Sequence, residues 1–227
     1  MSKTVSKFAF TVGIMLAMAF TFSCDSGGGG DGTGGGSSSS GGPGPGGGGN
    51  SSSGGGGGGG NSNCTADFGI VAIGSQVWAK KNLNCDVGVS KCYDDDPANC
   101  TKYGRLYDWN TAKTACPKGW HLPSDAEWDA LMTAVGGSST AGGKLKATSG
   151  WNGNGNGTDE YGFSALPGGD GDSDGIFDPV GRSGLWWSAT EVISDLVYSR
   201  SMSYNSSSVY RLGRSKSSLL SVRCVQD

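Results

Sequence analysis

Asp170, Asp172, Asp174 and Asp178 are spaced as the ligands of a metal ion would be. In Asp170-Gly-Asp172-Ser-Asp174-Gly175, carboxylates occupy positions 1, 3 and 5 of a calcium loop, and glycine at position 6 permits its sharp turn. Asp178 falls at position 9. Position 12 is Gly181 instead of a bidentate glutamate, and no helical pattern flanks the run. The spacing fits either a weak calcium site of the extracellular kind or a solvated acidic loop. Calcium is the one cofactor that the sequence brings forward.

Little else offers chemistry. His121 is the only histidine, so no triad can draw on a second imidazole, and its place between Trp120 and Leu122 reads as structural. Glu127 and Glu191 would hydrolyse a glycoside only if held roughly 5 to 10 Å apart, and helix capping already accounts for Glu127. No catalytic residue is assigned. Trp151, Tyr161, Tyr204 and Tyr210 would serve as an aromatic platform for a polysaccharide, or else be buried against the long loop that carries the first two.

The elements that must hold these residues follow from periodicity. Phe68 to Ile73 and Gln76 to Lys80, joined by Gly74-Ser75, predict a β-hairpin. A first helix is expected from Asp108 as N-cap to Pro117, with Trp109, Ala112, Ala115 and Cys116 on one face. A second starts at the capping box Ser124-Asp-Ala-Glu127, buries Trp128, Leu131, Met132 and Val135, and stops at Gly136-Gly137. From Gly142 to Asp178 the chain reads as loop, with an apolar island at Phe163 to Leu166. Leu185 to Thr190, Leu196 to Tyr204, Ser208 to Arg214 and Ser221 to Val225 read as strands. Two helices, a long loop and a late antiparallel sheet make an α+β domain.

Cysteine use depends on compartment. Lys3 and Lys7 precede an apolar run from Phe8 to Phe22 that is short for a membrane span, so residues 1–23 read as a signal peptide. Cys24, after Ser23, resembles the acylated cysteine of bacterial lipoproteins. Residues 24–63 form a Gly/Ser-rich stretch that offers no core and reads as a disordered tether. Such a coil has a root-mean-square reach of roughly 35 Å. Without the leader the net charge falls from −3 to about −5, and no basic patch marks a nucleic-acid partner. The expected location is therefore outside the cytoplasm, membrane-anchored, at the outer membrane or cell surface.

In that oxidising setting the six cysteines after Cys24 favour three disulfides over metal ligation or catalysis. Parity alone leaves the pairing open. Cys92 and Cys100 flank a turn-rich segment, Tyr93 to Pro97. Cys116 ends the first helix and Cys224 lies in the last strand, so a bridge between them would tie the helical half to the sheet. Cys64 and Cys85 are then left to each other. All seven Trp and all seven Tyr fall in 64–227, a length suited to one domain.

The runs Tyr103-Gly-Arg-Leu-Tyr-Asp-Trp109, Ala115-Cys-Pro-Lys-Gly-Trp-His-Leu-Pro-Ser-Asp-Ala-Glu-Trp128, Tyr161-Gly-Phe-Ser-Ala-Leu-Pro-Gly-Gly169, Trp186-Trp-Ser-Ala-Thr-Glu191 and Ser221-Val-Arg-Cys-Val225 resemble the Fibrobacter succinogenes major paralogous domain. That family is similar to C-type lectin-like domains and to formylglycine-generating sulfatase-modifying factors. The resemblance implies a lectin-like fold, and with it a bridge from the first helix to the final strand, in line with Cys116 and Cys224. It implies no activity. The calcium-dependent sugar-binding signatures of lectins are absent. The modifying enzymes hold copper on reactive cysteines, whereas each cysteine after Cys24 has a candidate disulfide partner, and a bridged sulfur supplies no thiolate. The expectation is a cell-surface binding or display module touching polysaccharide or a neighbouring surface protein. A secreted carbohydrate-active enzyme and a structural coat protein are the alternatives.

Overall fold

In the computed structural model, residues 67–227 are described. The expected signal peptide, the lipidated Cys24, the tether and Cys64 lie outside the described residues.

β-Branched and aromatic residues build the opening hairpin, Ile70–Ile73 (β1) and Gln76–Ala79 (β2), with Gly74 at φ 62° making the tight turn. Ser90–Lys91 (β3) leads through a 3-10 turn at Tyr93–Asp95 into Pro97–Tyr103 (α1). Leu106–Tyr107 (β4), Trp109–Ala115 (α2) and Trp120–His121 (β5) follow. Asp125–Ala134 (α3) and Ser138–Leu145 (α4) complete the helices. After the loop come Asp170–Gly171 (β6), Phe177–Asp178 (β7), Ser183–Ile193 (β8), Leu196–Ser203 (β9), Val209–Ser215 (β10), Leu220–Ser221 (β11) and Val225–Gln226 (β12).

The domain is α+β, with four helices among the described residues where the periodicity predicted two. The capping signals behave as expected: Asp108 accepts from the Thr111 amide, and Ser124 with Glu127 forms the full capping box. The unexpected α1 has its own local signal, since Asp96 caps it and Pro97 stands in its first turn. The unexpected α4 overturns the reading of loop from Gly142. Its two central glycines are weak helix formers, but a Cβ at Gly142 would lie 2.8 Å from the Ser207 and Ser208 carbonyls. Glycine there lets the helix press against the connection between β9 and β10, so tertiary packing overrides propensity.

Two sheets organise the domain. One has strand order β1-β2-β12-β5; the other, β10-β9-β8-β11-β4-β3, is antiparallel except where β11 meets β8 at Ser221 and Trp186. The run expected as one strand from Ser221 to Val225 is divided: β11 belongs to the larger sheet and β12 to the smaller. Trp186 and Trp187, adjacent on β8, face opposite ways and enter different core clusters, Trp186 with Trp78, Trp128 and Phe163, Trp187 with Tyr107, Trp109 and Leu220. Cys92 is bonded to Cys100, and Cys116 to Cys224. Cys85 is also disulfide-bonded. No helix among the described residues is long and apolar enough to cross a membrane.

Candidate functional site

Strand β5 and the start of α3 bring the candidate acid–base residues into one cluster. His121 lies between two carboxylates, its Nδ1 2.7 Å from Asp227 Oδ1 and its Nε2 2.7 Å from Glu127 Oε1. Two acceptors on opposite sides favour the imidazolium, which donates from both nitrogens. Burial opposes the charge, but the hydrogen bonds and charges of Asp227 and Glu127 outweigh it and hold the imidazole above its ordinary value. Burial likewise opposes ionisation of Glu127, and the Ser124 amide and His121 outweigh it, keeping the carboxyl below its ordinary value. Glu127 therefore caps a helix, as the sequence indicated, and also clasps His121. Glu191 pairs with Lys216 at 3.0 Å.

The sign of the pH dependence follows. A histidine whose folded pKa is raised contributes stability below its unfolded value, near 6.5, and loses it as pH climbs through the higher folded value. Glu127, shifted down, contributes above its own unfolded value and loses it as pH falls through the folded one. His121→Gln is expected to lower stability by about 1 kcal/mol or less near pH 6, because the pair is partly exposed. Urea denaturation over pH 5 to 9 should show the difference from wild type shrinking with rising pH; a difference that grew would remove the clasp.

The acidic run forms a small hairpin. Asp170 faces Asp178 across β6 and β7, and Asp172 Oδ1 accepts from the amides of Asp174 and Ile176 at 3.0 Å each, closing the turn on itself. Asp170, Asp172, Asp178 and Arg214 border a hollow of about 180 Å³. Asp174 does not line it, and among the described residues no three His, Cys, Asp or Glu side chains converge to hold an ion. Asp170 is buried, which pushes its pKa up to about 6; Arg214, 3.5 Å away, offsets part of this and Asp178 adds to it.

The aromatic platform is not assembled from the four expected residues. Trp151 is buried, donates Nε1–H to the Ala165 carbonyl at 3.0 Å and packs in the core with Phe163. Tyr161 and Tyr204 are half-buried beside that cluster. Only Tyr210 is open, 48 % exposed on β10.

Periodicity gave no hint of two further features. Asn82 and Arg223 form a buried polar hub, described below. The second is a set of exposed apolar side chains on β8 to β10: Val192, Ile193, Leu196, Tyr210 and Leu212. They do not form one patch: Tyr210 and Leu212 share one face of β10, an edge strand whose outer side has no partner strand, whereas Leu196, opposite Ile193 at the tip of the β8–β9 hairpin, lies on the other face of the sheet. Arg211, on the opposite face of β10 from Tyr210 and Leu212, lies over the Tyr198 ring at 4.7 Å and pairs with Asp125 at 3.0 Å. The signal was present as Leu196, Tyr210 and Leu212 on strands, but only the sheet order reveals which strand is the edge.

No curated protein and no solved structure matches the chain. Residues 71–226 match the Fibrobacter succinogenes major domain, in line with the blocks from Tyr103 to Val225. That match covers well over half of the sequence and runs from β1 to β12, so the chain belongs to the Fibrobacter succinogenes major domain family.

Proposed function

We propose that the protein is a cell-surface binding or display module whose lectin-like domain contacts a neighbouring surface protein through the edge strand β10. The observation that carries this reading is the exposure of Tyr210 and Leu212 on one face of β10, the edge strand of the larger sheet. Aromatic side chains such as Tyr210 are enriched at protein interfaces. Catalysis has less support, since His121, Glu127 and Asp227 are engaged with one another and Glu191 with Lys216. A Tyr210→Ala, Leu212→Ser variant should lose saturable binding to isolated cell-envelope protein. Undiminished binding, or equal binding to purified polysaccharide by both forms, would move the contact elsewhere.

The carrier belongs to the same proposal: residues 1–23 direct export, Cys24 is acylated, and 24–63 link that anchor to the domain. Acyl chains on Cys24 anchor the protein because each buried methylene contributes about 0.8 kcal/mol. Cys24→Ser should move the protein from the membrane fraction to the soluble exported fraction, and unchanged partition would defeat this part.

Calcium at the acidic hairpin is a separate proposal, supported by the spacing of Asp170, Asp172, Asp174 and Asp178 alone, since among the described residues no three such side chains converge. With its pKa raised, Asp170 contributes stability below its unfolded value near 3.9, and this is lost as pH rises through about 6. Asp170→Asn should then stabilise the protein in chelator at pH 7 by about 1 to 2 kcal/mol, with little effect below pH 4. In millimolar calcium the sign should reverse if the carboxylate ligates. Stabilisation in both conditions would leave the hairpin without an ion.

A further inference from the structure

The long loop contains the run Asn152-Gly-Asn154-Gly-Asn156-Gly157, three asparagine–glycine pairs in succession. Glycine after asparagine is the arrangement in which the chain attacks itself most readily. Without a side chain, the glycine neither blocks the approach of its own nitrogen to the asparagine carboxamide nor resists the backbone rotation required. An amide held in a hydrogen bond, or a glycine packed against other backbone, cannot make that approach without first breaking its contacts.

The three pairs differ in this respect. The Gly155 amide donates to Asn152 O at 2.8 Å, and Gly155 is buried so closely that a Cβ there would lie 2.1 Å from Tyr204 O. The Gly157 amide donates to Ala147 O at 3.0 Å, and a Cβ there would lie 2.3 Å from Lys146 O. Asn156 is held as well, its Oδ1 accepting from the Trp151 amide at 3.0 Å. Asn152 and Gly153 are both exposed. Among the described residues neither the Gly153 amide nor the Asn152 carboxamide makes a hydrogen bond, although the Asn152 backbone is fixed to Gly181 O at 2.8 Å.

We propose that Asn152–Gly153 is a site of spontaneous deamidation in the folded protein. The Gly153 nitrogen gives up its proton and bonds to Asn152 Cγ, the Cγ–Nδ2 bond breaks, and ammonia leaves with that proton. The resulting five-membered imide then takes up water at either carbonyl, yielding aspartate or its β-linked isomer. No oxidant, reductant or enzyme enters the balance. The product places a carboxylate beside Gly181, whose Cβ position lies 2.5 Å from Asn152 Oδ1. In the β-linked form an extra methylene enters the main chain next to Trp151.

The test is incubation of the full-length folded protein at pH 8 and 37 °C, followed by peptide mapping with fragmentation that separates the two aspartyl isomers. Asn152 should gain one mass unit about tenfold faster than Asn154 or Asn156, the factor that about 1.4 kcal/mol of barrier produces. The reduced chain in urea should react at all three sites at similar rates, and Asn152→Gln should abolish the early product in the folded protein. First reaction at Asn154 or Asn156, or no reaction in the fold while the unfolded chain reacts, would overturn the proposal.

Discussion

Replacing Arg223 with methionine is expected to destabilise the domain by about 3 kcal/mol or more, a large fraction of the roughly 5 to 15 kcal/mol that holds a domain folded. Arg223 is fully buried between β11 and β12. Its Nε and Nη2 donate to Asn82 Oδ1 at 3.0 and 2.8 Å, and its Nη1 to the carbonyls of Ala79, Lys80 and Phe163. Burial pushes the guanidinium down to about 9, partly offset by Asp159, so it remains charged at neutral pH. The compensation comes from carbonyl oxygens and from the Phe163 ring, 4.3 Å from the guanidinium carbon. A methionine fills much of the volume but removes the donor from the carbonyls of Ala79, Lys80 and Phe163, and an unmade buried hydrogen bond costs about 1 to 3 kcal/mol.

Asn82 extends the hub. Its Oδ1 also accepts from Trp186 Nε1 at 2.8 Å, and its Nδ2 donates to Tyr103 O at 2.8 Å and Ser221 Oγ at 3.3 Å. One side chain thus joins α1, β8, β11 and the segment after β2. Asn82→Ala and Arg223→Met should be strongly non-additive, with a coupling above about 1 kcal/mol in a double-mutant cycle on urea midpoints. Additive losses, or an Arg223→Met protein as stable as wild type, would show that the carbonyls find other donors.

Loss of the Cys116–Cys224 bridge is expected to lower the melting temperature more than loss of Cys92–Cys100. The first closes 108 residues and the second 8. On the chain-entropy account these loops correspond to about 4.8 and 2.5 kcal/mol. For a domain of this size about 1 kcal/mol shifts the midpoint by roughly 2 to 4 °C, so the Cys116→Ser, Cys224→Ser protein should melt about 10 to 20 °C lower. The Cys92→Ser, Cys100→Ser protein should lose about half as much. Calorimetry under non-reducing conditions reads both. Equal losses, or the reverse order, would mean that local packing outweighs loop length, Arg105 Nη1 being within 3.7 Å of both Cys92 and Cys100 sulfurs.

What the sequence determined by itself was whatever rests on neighbours along the chain. The Ser124–Glu127 box starts α3, Asp108 starts α2, and Gly74-Ser75 turns the first hairpin, because each depends on a side chain reaching an amide or a φ available within a few residues. Periodicity gave the α+β class, and the blocks of residues resembling a known family gave the family. The tertiary structure alone decided the rest, because it depends on contacts between distant residues. Ser207 and Ser208 backbone pressing on Gly142 makes a helix of a glycine-bearing run. Sheet order makes β10 an edge and exposes Tyr210 and Leu212, while the loop folds Trp151 into the core. Two carboxylates 6 and 106 residues away in sequence turn an isolated histidine into a clasp. The last strand run divides between two sheets, and Arg223, between the two pieces, reaches Asn82, 141 residues earlier. A buried cation takes whichever carbonyls the packed chain presents, and local spacing holds no record of those.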